Sequence, residues 1–456
     1  MAVYQDVIGQ LPILKTYNHG SLGFPVPDES AREPLILALQ AACDKIAANF
    51  PWLAGAVAHE GVSPGNSGLF RPIPWPATAT SPNKILHVQY CDDIAPSFKE
   101  ILDAGAPVSM LDGKLLAPYD GFPARYTESP ENPAPVIATQ ATFIRGGMIL
   151  TFCSQHNMID ATGMFQIINM FANALNGEDF SPQAIESGNR DRATVIPLLA
   201  PGEPAKDLQH LKVAQPLTFP LPSPPSTPGK KPTWAYFRLF RAAVPAIKEK
   251  ASEREGYDPS VPFLSSNDAL SAFYWKCISS IRLRNGRSPE TVSKFSRAID
   301  GRRVMGVPQE YLGHMVFHSA TRKPLGEVAS APLSTLACAL RRDLNNANTA
   351  FAVRSYATLI ANEPDKARIL YGGGKGNPDV DVGASAVPQS DAAVVPYGPL
   401  GVPAFGRRPN LAPILGCLYF MPPEGGNMMV SVCLREDDLE GLRKHPDWSR
   451  ITEFIG

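Results

Sequence analysis

Met148-Ile-Leu-Thr-Phe-Cys-Ser-Gln-His156-Asn-Met-Ile-Asp160-Ala-Thr-Gly163 is the stretch around which the rest of this chain is ordered. It reads as a strand ending on a histidine, a tight turn holding an aspartate, and a helix. The runs from Thr139 to Arg145 and from Met148 to Phe152 are rich in β-forming residues, and Gly146-Gly147 between them has the composition of a two-residue hairpin loop. Gln155 and His156 therefore stand where a paired strand stops. Beyond Gly163, the apolar residues Met164, Ile168, Phe171 and Leu175 form a helical stripe that ends at Gly177, and Asp160 lies just before that helix. A histidine at a strand mouth can present one ring nitrogen to a cavity and, with its near-neutral pKa, take a proton from an alcohol. An aspartate four residues later can hold the loop or the ring; the same spacing also fits a turn histidine followed by a plain helix N-cap.

The composition bounds what such a site can serve. At 456 residues the chain is too long for one ordinary core and calls for two domains. Hydrophobic residues make up 44% and charged residues 19%, the balance of a soluble globular protein. With 42 basic against 43 acidic side chains the net charge is −1, so no global field recruits nucleic acid or acidic membranes, and any anion site must be local. The seven cysteines are scattered without a CxxC pair, which predicts reduced, mostly buried thiols and neither a disulfide framework nor a zinc site. The N-terminus has no basic region followed by an apolar core, and no stretch reaches the ~18 apolar residues of a membrane span, so a cytoplasmic protein is expected. The 46 prolines predict long ordered connections.

Outward from the central stretch, the N-terminal half mixes helices and strands. Val7 to Leu14 reads as an edge strand, Glu33 to Ala48 as a helix, Pro51-Trp52-Leu53-Ala54-Gly55 as a tight corner, Ala56 to His59 and Ile85 to Tyr90 as strands, and Ser97 to Ala104 as a helix. The segment 201–232, with its cluster from Pro220 to Pro228, cannot be a regular element, because each proline removes a backbone donor and fixes φ. It reads as a crossover linker between domains 1–200 and 233–456. The second half opens with a strand from Thr233 to Arg241, followed by a helix carrying Ala243, Val244, Ile247 and Ala251. Ser265-Ser-Asn267-Asp268 then caps a helix with its apolar face at Leu270, Phe273, Tyr274 and Cys277. Phe295 to Arg303 and Met305 to His314 follow as a strand running into a Gly/Pro loop; strands at Gly416 to Met421 and Met428 to Leu434 and a helix from Glu436 to Lys444 close the chain. Trp52, Trp275 and Trp448 look like core packing. The run Tyr371-Gly-Gly-Gly-Lys-Gly376 lacks the strand-loop-helix context of a phosphate loop and reads as a mobile surface loop.

Five motifs in order carry a family likeness: Pro51 to Gly55, His156-x-x-x-Asp160-x-x-Gly163, Asn267-Asp268-Ala-Leu-Ser-Ala-Phe-x-Trp275, Arg297-Ala-x-Asp300-Gly-Arg302 and Tyr311-x-Gly313. Together they resemble the BAHD superfamily of acyl-CoA-dependent acyltransferases, from about residue 7 to the end, with the nearest likeness to fungal trichothecene 3-O-acetyltransferase-like enzymes. The resemblance implies an α/β fold of two similar chloramphenicol-acetyltransferase-like lobes with a tunnel between them. It implies that His156 deprotonates an acceptor hydroxyl as the latter attacks an acyl-CoA thioester. It also implies that Asp160 points away from substrate toward an arginine, for which Arg302 is the candidate, with Asp300 and Gly163 as structural support. Acetyl-CoA or another acyl-CoA is then a co-substrate, no cofactor is tightly held, no metal is required, and a small-molecule acceptor is the only other partner of an expected monomer.

One departure stands out. The family's Asp-Phe-Gly-Trp-Gly motif corresponds here to the region 381–401, where Tyr397-Gly398 and Leu400-Gly401 read as remnants and the acidic and tryptophan positions are absent. Tyr311, His314, Tyr397, Gly398 and Arg407 are the remaining tunnel candidates; His314 reads more readily as a packed or solvated histidine, and Arg407-Arg408 reads either as a local basic pair meeting CoA phosphates or as ordinary solvated charge. Acyl transfer to a hydroxyl of a fungal secondary metabolite is the leading reading. Two others stay open: a CoA-independent cyclisation, isomerisation or dehydration using His156 as acid and base, and a non-catalytic small-molecule-binding protein. Gln155, where condensation domains carry an additional histidine, argues against a carrier-protein partner.

Overall fold

The computed structural model describes residues 6–80, 82, 84–219, 230–387 and 390–456. The proline cluster from Pro220 to Pro228 lies outside the described residues. What is described of the segment before it is docked on the second half, with Val213 N–H donating to Arg368 O and Leu217 N–H to Ala367 O.

Two main sheets carry the fold. The first has five strands in the order Phe405–Arg407, Tyr17–Pro25, Gly147–Gln155, Ile137–Ile144, Leu86–Tyr90. The Ile137–Ile144 and Gly147–Gln155 strands pair antiparallel through a two-residue hairpin, Arg145-Gly146, one residue earlier than the expected Gly146-Gly147 because Gly147 pairs with Ile144, and every residue of both strands is buried. Both faces of these strands are covered, and their polar residues Thr139, Gln140, Thr142 and Thr151 are buried with the apolar ones. Helices Arg32–Asn49 and Ala161–Leu175 pack over one face around Leu39, Ile46, Phe152, Ile168 and Phe171. The second sheet has seven strands, Val316–Pro324, Val292–Asp300, Val382–Ala386, Cys417–Glu424, Asn427–Arg435, Pro232–Leu239 and Thr452–Phe454, covered by helices Ser266–Arg284 and Leu333–Ala347. A third, three-stranded sheet is formed by Asn66–Ile73, Ala56–Ser63 and Ala134–Pro135. The three tryptophans at 52, 275 and 448 are at most 1% exposed, as expected of core.

The two halves are stitched together more closely than a linker between domains implies. Phe405–Arg407 leaves the C-terminal half and pairs antiparallel with Ser21, Leu22 and Gly23 of the first sheet. A Cβ on Gly23 would lie 2.3 Å from the Phe405 ring, so only glycine admits this strand. The Asn267-Asp268 motif is a second clamp, within the C-terminal half: Asp268, wholly buried, accepts from Arg297 Nη1 at 2.7 Å and from Arg341 Nε at 2.8 Å, tying two helices to the sheet.

Two expectations are corrected. Val7 to Leu14 is no edge strand but two 3₁₀ turns, Ile8–Gln10 and Pro12–Leu14. Pro12 has no N–H to give a ladder, and Ile8, Leu11 and Leu14, three residues apart, share one face as 3₁₀ geometry requires and pack with Met315, Phe317 and Ile360. The glycine run 371–376 is held in place: Lys294 Nζ donates to the carbonyls of Gly372 and Gly374, Arg322 Nη2 donates to that of Gly373, and Gly373 and Gly374 are buried. Three successive positive φ values, +70°, +76° and +94° at Gly372, Gly373 and Gly374, explain why glycine is repeated there.

Candidate active site

Gly147–Gln155 delivers His156 to the seam between the halves, where its backbone N–H donates to Thr16 O at 2.8 Å. The following turn is tightly built. Asn157 N–H donates to the Gln155 side-chain oxygen at 2.7 Å, and the Asn157 amide reaches back to the carbonyls of Gly9 and Leu11. The turn ends on Asp160, which caps helix Ala161–Leu175 by accepting from Gly163 N–H at 2.8 Å. The plain N-cap reading is therefore correct as far as it goes.

Asp160 does more than cap. It is completely buried, and both carboxylate oxygens meet Arg302, Nη2 to Oδ1 and Nη1 to Oδ2 at 2.9 Å each, while Met315 N–H donates to Oδ2 at 2.9 Å. Burial pushes the carboxyl pKa up, but the guanidinium and the surrounding donors outweigh it and hold the pKa below the ordinary value. Arg302, equally buried, also donates to the carbonyls of Tyr311 and Gly313 and to Asp300 Oδ1. Asp300 in turn accepts from the Thr162 hydroxyl at 3.1 Å. The pair thus locks the histidine turn, the start of the helix and the 302–315 loop into one block. Gly163 belongs to it for steric reasons: a Cβ there would stand 2.4 Å from Leu312 O.

His156 opens on a cavity of about 470 Å³ walled by both halves. From the first half come Leu14, Tyr17, His19, Phe122, Met164 and Phe165. From the second come the alternate residues Lys294, Ser296 and Ala298 of one strand and Val316 and His318 of the next, with Tyr371, Asp381, Arg408 and Tyr419. The intervening residue Phe295 faces the helices instead, and Arg297 turns to Asp268 on that side. Burial lowers the His156 pKa, with the Asp160 charge only partly offsetting it, so the imidazole is neutral and able to accept a proton at pH 7. His19, His314 and His318 surround the site with pKa values lowered to about 3, mainly by burial, and are neutral as well.

None of the five expected tunnel positions is among the residues that line the cavity. His314 is buried behind His156, ring centroids 5.2 Å apart, and its Nδ1 accepts from Val316 N–H. Tyr311 is buried with its hydroxyl donating to Asp6, itself paired with Arg192 at 2.9 Å, so it braces the N-terminal turns. Tyr397 and Gly398 lie behind the first sheet: the tyrosine hydroxyl donates to Ala392 O at 2.9 Å, and Gly398 sits so close to Leu175 that a Cβ would be 2.2 Å from its carbonyl oxygen. This stretch anchors the end of helix Ala161–Leu175 to the second half and is not part of the cavity wall. Arg407 is consumed by Glu424 and by the carbonyls of Gly105 and Ala106. The neighbouring Arg408 faces the cavity instead. Strand alternation could have exposed Lys294 and His318, and His19 two residues beyond Tyr17 on its own strand; Arg408, just past Phe405–Arg407, and Tyr371 lie outside strands and carry no such signal. Among the described residues no cluster of three or more His, Cys, Asp or Glu is placed to hold a metal ion, and no helix is long and apolar enough to cross a membrane. No disulfide forms among the seven cysteines.

Comparison with known proteins places this geometry. Residues 16–175 match the trichothecene 3-O-acetyltransferase-like N-terminal domain, and residues 122–448 match the Transferase family. The chain is 43% identical over 453 residues to the O-acyltransferase pigD of Monascus ruber, covering 99% of this chain and 98% of that one. The crystal structure of Fusarium sporotrichioides TRI101 complexed with coenzyme A and T-2 superposes with a TM-score of 0.88 at 32% identity, covering 99% of both chains. Vinorine synthase shares the fold, with a TM-score of 0.63 at 14% identity over 99% of this chain and 94% of its own.

Proposed function

The chain belongs to the Transferase family, with a trichothecene 3-O-acetyltransferase-like N-terminal domain, and from that premise we propose how its site works. It is an acyl-CoA-dependent O-acyltransferase of the BAHD fold, moving an acetyl or other small acyl group to a hydroxyl of a fungal secondary metabolite. The observation that carries the mechanism is the division of labour within the motif: His156 faces the shared cavity as a neutral base, while Asp160, four residues on, is turned into the protein and neutralised by Arg302.

His156 accepts the proton of the acceptor hydroxyl as its oxygen attacks the thioester carbonyl. The carbon–oxygen bond forms, the tetrahedral intermediate collapses with loss of the CoA thiolate, and the proton held on His156 passes to the departing sulfur. The proton acceptor must be neutral before the reaction, which the lowered pKa secures. Asp160 and Arg302 take no proton; their pairing fixes the turn from which His156 projects. The reading extends to a monomer working in the cytoplasm, for which light scattering at the chain mass of 49.2 kDa is the check.

The test is isothermal titration of the purified protein with acetyl-CoA and CoA, checked by the thermal shift that a ligand binding only the native state must produce. Micromolar binding is expected. A folded sample that binds neither refutes the reaction and leaves a CoA-independent one at His156.

A further inference from the structure

The cavity wall holds two cations, and they are treated differently. Lys294 gives its ammonium group to the carbonyls of Gly372 and Gly374, and the Asp381 carboxylate acts on it as an opposite charge. Arg408 has no carboxylate: among the described residues no salt bridge reaches it, and the hydrogen bond it does make is through its backbone N–H, to the Tyr236 hydroxyl at 2.7 Å. Its guanidinium is nonetheless fixed, with its carbon 5.3 Å from the Trp234 ring centroid and 5.0 Å from that of Tyr419, two stacked rings on strands of the second sheet that flank Asn427–Arg435. A guanidinium held by aromatic rings keeps its in-plane donors pointing outward, the arrangement that suits bidentate capture of an oxyanion. Its positive charge is felt inside the cavity, where it helps depress the pKa of both His19 and His156.

We propose that Arg408 recognises an ionised oxygen group, a carboxylate or an equally acidic enol, on the acceptor, and so selects acidic hydroxylated metabolites over neutral ones. This deepens the acyltransferase reading and rests on it. The alternative source of the anion is the donor, whose phosphates lie at the far end of the pantetheine arm from the thioester. With the thioester at His156, an arginine whose charge acts on His156 is badly placed for those phosphates. Arg407, beside it in sequence, is excluded from either role by Glu424.

The experiment uses the intact protein and two probes, 3-hydroxybenzoate and its methyl ester, which differ in the carboxylate charge and one methyl group, with CoA as the third titrant. Calorimetry on the wild type should show the acid binding at least about tenfold more tightly than the ester, the discrimination of one charge-assisted bidentate contact. In Arg408→Met, which keeps the stem against the rings, the acid should fall to the ester's affinity while CoA binds as before; Arg408→Lys should fall between. Far-ultraviolet dichroism and melting temperature establish that each variant is folded. Equal binding of acid and ester to the wild type, no binding of the acid at all, or a preference that survives in Arg408→Met would each overturn the proposal. A loss of CoA affinity in Arg408→Met with the acid preference intact would assign the arginine to the donor's phosphates. A wild type that binds the acid but no CoA would instead overturn the acyltransferase reading while leaving Arg408 an anion site.

Discussion

Replacing Asp160 by asparagine should destabilise the protein by about 3 to 5 kcal/mol, the range for removing one partner of a buried ion pair. The structure shows why an isosteric change is so costly here. All the groups around the carboxylate are donors: Gly163 N–H and Arg302 Nη2 at Oδ1, Arg302 Nη1 and Met315 N–H at Oδ2. Whichever way the amide is turned, its NH₂ faces two donors, and the wholly buried Arg302 loses its neutralising charge. The folded-to-unfolded ratio should fall by roughly two to three and a half powers of ten. Urea titration followed by tryptophan fluorescence at pH 7.5 reads the difference. Because the folded pKa of Asp160 is depressed, its contribution is complete above the unfolded value near 4 and is lost only as pH falls through the folded one. The gap between wild type and Asp160→Asn should therefore be constant from pH 8 to pH 5. A loss under about 1 kcal/mol, or one that changes across that interval, would refute the assignment of Asp160 to the block it forms with Arg302.

Other consequences can be measured independently. His156→Ala should keep the wild-type melting temperature to within a few degrees and lower kcat/KM by about 10²- to 10⁴-fold, the share of a general base; unchanged turnover would remove it from the mechanism. The acid limb of the wild-type kcat/KM profile should fall below the ordinary histidine value of 6.5, leaving a plateau from about pH 7 to 8. His19 and His314 titrate near 3 when folded and near 6.5 when unfolded, so the unfolded chain binds more protons between those values and stability drops on acidification. From pH 6.5 to 5 each contributes a loss of about 2 kcal/mol, and His314→Asn should remove one share of that slope in denaturant titrations. Gly163→Ala, which drives a methyl against Leu312 O, should cost about 1 to 3 kcal/mol by the same assay, and an unaffected variant would show that the helix can step away from the loop.

The sequence by itself determined the strand, turn and helix around His156, because period-two and period-3.6 apolar patterns and a glycine hairpin are local signals. It also supplied the resemblance that paired Asp160 with Arg302, 142 residues away. Where two demands compete, local reading failed. The apolar run from Val7 to Leu14 is equally strand-like, and Pro12 together with burial against the second half makes it 3₁₀. Glycines 372–374 look like a loose loop until Lys294 and Arg322 are seen holding their carbonyls. Tertiary structure alone decided between Arg407 and Arg408. They are adjacent and identical in chemistry, one ending the strand Phe405–Arg407 and the other just past it, so the partners around each fix their roles: Glu424 and three backbone carbonyls for one, two aromatic rings and an open cavity for the other.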